Sequence, residues 1–179
     1  MTNNEAKLTR EELESLLHKK QEYLEELEKI GKNLSYIKEL SDIALIQLQS
    51  EQYTDSEKNY IICLKHFEKQ KDRLGLASVY GILGTLFFKK SEYSKSIEYY
   101  EKANKIYEDL KQNQEIITCL KGIGNSLIKL NKLDEACDIF LDCSAICSDN
   151  NDIYNLLDCL GNLINIYETN EQWDVVFQL

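Results

Sequence analysis

The chain has 179 residues, 43% of them hydrophobic and 29% charged, with 31 acidic against 21 basic side chains and a formal net charge of −10. It holds no proline and only seven glycines, which excludes a turn-rich β fold, while apolar and aromatic residues throughout exclude a disordered one. No apolar stretch approaches the roughly 18 residues of a membrane span, the N-terminus lacks a secretory h-region, and an acidic chain repels phosphate backbones. The expectation is a cytoplasmic, all-α domain that binds no nucleic acid and enters no membrane.

In chain order, residues 1–9 are expected to be a disordered N-terminus. Thr9 and Glu12 have the spacing of a capping box, so a helix is predicted to begin near Arg10. It runs through Leu13, Leu16, Leu17, Leu24, Leu27 and Ile30 to a C-cap at Gly31. The segment 10–33 reads as a lone helix capping the rest of the chain, with a coiled-coil dimerisation helix as the alternative. Lys20 and Gly31 break any strict heptad, which favours the cap.

From residue 35 onward the sequence repeats itself every 40 residues. Tyr53, Tyr93, Leu133 and Trp173 fall in register, each just after a short polar connection. Tyr60, Tyr100 and Phe140 follow, and then the small residues Cys63, Ala103 and Cys143. Ahead of them stand Ile43, Leu83, Ile123 and Leu163, followed by Ala44, Gly84, Gly124 and Ile164. Large and small residues alternating at helical spacing let two backbones approach and fill the gap between them. Each unit therefore reads as helix, short turn, helix, and the units as a stack in which none buries its own apolar face. The boundaries fall near 37–76, 77–116, 117–156 and 157–179, with the last unit incomplete. Val175, Val176, Phe177 and Leu179 would form an apolar C-terminal edge.

These residues resemble the tetratricopeptide repeat (TPR). The second unit carries the pattern best, with Tyr80, Leu83, Gly84, Phe87, Tyr93, Ser96, Tyr100 and Ala103. The third follows with Leu120, Ile123, Gly124, Leu127, Leu133, Ala136 and Phe140. The period is longer than the family's common form and the proline that usually ends each unit is missing. The longer form, with Gly124-Asn125, is similar to repeats of Pins-type polarity adaptors and of bacterial peptide-pheromone receptors. The resemblance implies a right-handed α-solenoid covering residues 35–179.

It also implies a non-enzymatic adaptor that holds a partner peptide or helix in the concave groove lined by the first helix of each unit. Carried over position by position, the groove residues are Lys38 and Leu45, then Thr85, Phe88 and Lys89, then Lys121, Asn125, Ile128 and Lys129, then Asn162 and Asn165. Lys121, Asn125 and Asn162 match part of the family's carboxylate clamp. Asp158 beside them would oppose an anion, so contact of the asparagines with an extended peptide backbone is the reading preferred. Two alternatives stand beside the adaptor. One is a structural subunit that docks or forms homo-oligomers through its terminal helices. The other is a peptide-sensing receptor.

Little else in the sequence suggests chemistry. There is no phosphate loop, no nucleophile elbow and no metal-spaced histidine pair. Of the six cysteines, Cys143 and Cys147 share a helical face, but with no CxxC pair they read as small buried hydrophobes, and no metal or cofactor is expected.

Overall fold

The computed structural model describes residues 9–31 and 34–169. Among them are eight helices and no strand: α1 (Arg10–Ile30), α2 (Leu34–Gln49), α3 (Tyr53–Gln70), α4 (Arg73–Lys89), α5 (Tyr93–Leu110), α6 (Asn113–Lys129), α7 (Leu133–Asp149) and α8 (Ile153–Thr169). The predicted N-terminal segment up to residue 8 and the edge formed by Trp173, Val175, Val176, Phe177 and Leu179 lie outside the described residues.

The repeat is visible first in the backbone. Glu51, Lys71, Ser91, Lys111, Asn131 and Asn151 all take left-handed φ values between 55 and 63°, so the turn recurs every 20 residues, at half the sequence period. After each, the next N–H returns to a carbonyl in the last helical turn, as from Glu92 to Phe87 (2.9 Å) and from Asp152 to Cys147 (2.9 Å). The left-handed residue itself donates to a nearer carbonyl, Ser91 to Phe88 at 2.9 Å and Asn151 to Ser148 at 3.0 Å. This pair of bonds closes a helix C-terminus without proline or glycine.

The chain divides into two compact bodies, Met1–Asp72 and Arg73–Leu179. In the first, the Thr9 hydroxyl accepts the Glu12 N–H (3.3 Å) and the Glu12 carboxylate accepts the Thr9 N–H (2.7 Å). Gly31, at φ 120°, ends α1. Leu13 and Leu17 pack with Ile43 and Ile46 of α2, and Lys20 reaches both Glu39 and Asp42 of α2 at 3.0 Å. Between α2 and α3, the buried Ser56 hydroxyl donates to the Ala44 carbonyl (2.7 Å). His66 is half-buried and meets Phe67 edge-on.

Among the described residues of the second body, a core runs through α4 to α8. At its centre the Tyr100 ring lies between two backbones. A Cβ placed on Gly84 of α4 would come within 2.7 Å of that ring, and one on Gly122 of α6 within 2.4 Å. Both positions must be glycine for the helices to close on the ring. Ser96 repeats the Ser56 bond, donating to the Gly84 carbonyl at 2.8 Å, and also lies 3.1 Å from the Ser126 hydroxyl. The third repeat drops this bond: Ala136 takes the serine position, and Phe140 presses on Gly124 in place of a tyrosine.

Candidate functional site

In the second body a cleft of about 230 Å³ runs along α4 and α6, floored by α5. Gly81 opens it, because a side chain there would otherwise stand over the floor; its nearest neighbour is the Ala103 Cβ, 4.0 Å from where a Cβ would lie. From α4, Ser78, Ile82 and Thr85 line one wall. From α6 come Glu115, Thr118 and Cys119, and the floor is Tyr100 and Tyr107. The walls are largely apolar and most of their polar atoms are hydroxyls. Thr85 Oγ1 and the Tyr100 hydroxyl are 2.9 Å apart. Burial pushes the Tyr107 phenol up to about 12, against a hydrogen bond with Ser78. Both phenols therefore stay neutral and able to donate near neutral pH. An apolar cleft with a few fixed hydroxyls suits a side chain or a short stretch of peptide.

The other predicted groove residues distribute as follows. Lys38 and Leu45 are exposed on α2 of the first body. In the second, Thr85 lines the cleft, half-buried Phe88 packs edge-on against Tyr93 at 5.4 Å, and Lys89 is exposed at the end of α4. Asn125 and Ile128 are half-buried on α6, and Lys129 is exposed.

Lys121 is the most engaged of the set. Its ammonium pairs with Asp158 at 2.5 Å and donates to Asn155 Oδ1 at 2.9 Å, tying α6 to α8. Against the desolvation that pulls it down, the Asp158 carboxylate holds Lys121 above the ordinary lysine range. A carboxylate entering here would compete with one already in place. On α8, the half-buried Asn162 donates to its own helix at the Asp158 carbonyl (2.9 Å), and Asn165 is exposed.

Ile82, Tyr107, Glu115 and Cys119 of the cleft escape sequence reasoning as groove residues, and the sequence marks Tyr100 only as a packing position. Cys159 also joins Cys143 and Cys147 in one cluster. The signal available was the hairpin itself. Residues equally far from a turn face one another, as Ser96 and Gly84 do across Lys90, and Cys143 and Cys159 do across Asn151.

Two features of this geometry, turns in strict register and large residues set against facing glycines, are those of a helical repeat family. Residues 39–109 match the family model of the tetratricopeptide repeat. That stretch, less than half of the chain, resembles TPR repeats. Among curated proteins, the uncharacterised protein ycf37 of Guillardia theta is 30% identical over 104 residues, 58% of this chain and 54% of that one. The chain thus spans about half the length of that relative. Among solved structures, a putative kinesin light chain of Podosopora anserina with nearly identical TPR-like repeats aligns with a TM-score of 0.79 at 10% identity, covering 93% of this chain and 82% of that one. BtubC from P. vanneervenii aligns at 0.76 with 17% identity over 92% and 69%. Aspartyl phosphate phosphatase F from Bacillus subtilis aligns at 0.72 with 17% identity over 80% and 38%. At such identities the likeness is one of fold: an all-α array of TPR helix pairs. Arrays of this kind serve in general as protein-interaction scaffolds and typically carry no catalysis. No described helix is long and apolar enough to cross a membrane.

Proposed function

We propose that this chain is a non-enzymatic, cytoplasmic adaptor that holds a peptide or helix of a partner protein against the face formed by α4, α6 and α8. The observation that carries this reading is the cleft opened by Gly81, with neutral phenols at its floor and Thr85 on its wall. Phe88, Ile128, Asn125, Lys129, Asn162 and Asn165 extend the same helices' surface with mixed apolar and amide contacts. Such a surface reads an extended chain by its backbone and by alternate side chains.

The test starts from peptides selected from a random display library on the full chain. Their affinity is then measured by fluorescence anisotropy. Gly81→Phe fills the cleft and should weaken binding by roughly tenfold or more, about 1.4 kcal/mol. Tyr154→Glu with Leu157→Glu, neither of which lines the cleft, should leave it unchanged.

The reverse pattern would support a second reading, that of a subunit docking through its helical edges. One observation favours it: Ile153, Tyr154 and Leu157 of α8 are 69%, 81% and 64% exposed, an apolar face such as interfaces cover. In that case the double glutamate variant loses self-association by sedimentation while the Gly81 variant keeps it.

A further inference from the structure

Cys143 and Cys159 face each other across the α7–α8 hairpin with their sulfurs 3.2 Å apart. Cys147, one turn along α7, brings a third sulfur to the same point. All three lie within 4.8 Å of one another, and none of the three residues is exposed to solvent.

Filling space does not account for this trio. The positions equivalent to Cys147 in the two preceding repeats are Phe67 and Tyr107, so the array's own filler there is a ring. The third repeat sets a thiol in its place and leaves the room to two other thiols. Nor are the sulfurs indifferent to each other. The Cys159 thiol donates to the Cys143 sulfur, and the Lys121 ammonium, held by Asp158 and Asn155, stands close by.

We propose that Cys143, Cys147 and Cys159 form a buried trigonal site for one soft monovalent cation, Cu(I). Only sulfur converges on the point, and thiolates select soft ions. Zinc at a closed site wants four ligands, and no described His, Asp or Glu joins the three thiols in the cluster. A metal about 2.3 Å from each of three sulfurs at trigonal angles sets them about 4.0 Å apart. The present separations, from 3.2 Å to no more than 4.8 Å, bracket that value. Binding one Cu(I) to three thiols releases three protons and leaves a site of net charge −2, which the Lys121 ammonium offsets in part.

The reduced full chain is titrated anaerobically with Cu(I) against a chromogenic chelator, and the loaded protein is examined by X-ray absorption. One equivalent withheld from the chelator, with three sulfurs and no lighter ligand in the first shell, is the expected result. Cys143→Ala and Cys159→Val install residues the array already carries at those registers, Ala103 and Val79, so the fold should persist, as circular dichroism will show. Each should weaken binding by roughly a hundredfold, while Cys63→Ala, buried elsewhere, should not. Wild-type protein that withholds no copper, variants that withhold as much as wild type, or a shell containing fewer than three sulfurs would each overturn the assignment. So would tighter binding of Zn(II) with nitrogen or oxygen ligands. None of these outcomes bears on the peptide face, which is tested by separate variants.

Discussion

Gly122→Ala is a single methyl group set against a ring that already touches two helix backbones. Its Cβ would stand 2.4 Å from two carbons of Tyr100, where ordinary contact begins at 3.4 Å, so the ring must move by about 1 Å. Moving away from α6 drives it towards α4, where the ring already lies so near the backbone that a Cβ on Gly84 would stand 2.7 Å from it. Overpacking of this kind costs about 1–3 kcal/mol, against which alanine's helix propensity returns about 1 kcal/mol. Gly161→Ala supplies the reference, because that helical site has nothing within 4 Å of the added carbon and should show only the gain of about 1 kcal/mol. The two variants should therefore differ by about 1–3 kcal/mol, or several degrees in midpoint for a chain of this length. Urea and thermal unfolding of the two proteins side by side measure the difference. Equal midpoints would refute the claim that Tyr100 is clamped between two backbones.

Three further expectations rest on the same packing. Lys111→Gly relieves a left-handed lysine at φ 55° and should stabilise the chain by about 0.5–1 kcal/mol in urea unfolding, the left-handed penalty less glycine's entropy; a loss of stability would count against the turn geometry. Ser96→Ala removes the hydroxyl bonded to the Gly84 carbonyl. Since Ala136 fills that register in the third repeat, the loss should stay near 1 kcal/mol, and a cost of several kcal/mol would mean the Ser96–Ser126 pair organises the core. Burial raises Cys63 to about 11 and Cys119 and Tyr107 to about 12, so the unfolded chain releases these protons before the folded one does. Stability should hold below about pH 8.5, where unfolded thiols stay protonated, and fall as pH climbs from there towards 12. Urea midpoints taken between pH 7 and 11 check this, with Cys119→Val flattening part of the decline; midpoints that rise with pH have the wrong sign for it.

Much of the fold was legible because its signals are local. Thr9 and Glu12 close the capping box three residues apart, and Gly31 ends the helix they begin. The large and small positions, Tyr100 against Gly84 and Phe140 against Gly124, lie in one hairpin each. The 20-residue turn rhythm was less legible, because Glu51, Lys71, Ser91 and Lys111 are not residues that announce a left-handed backbone. That conformation is imposed by the closing bonds to the preceding helix and not by the residue that adopts it.

The sequence by itself determined the period, the helices and the class of fold, since spacing at three and four residues and a small residue facing a large one act through neighbours along the chain. The tertiary structure alone decided what each polar or thiol side chain meets. Lys121, a candidate for holding a partner's carboxylate, is paired within the chain to Asp158 of α8. Cys159 completes a cluster that Cys143 and Cys147 only begin. Tyr107 and Glu115 become part of a cleft because Gly81 leaves it open. In each case the deciding contact spans two or three helices, and its distance is set by how closely small residues let those helices approach.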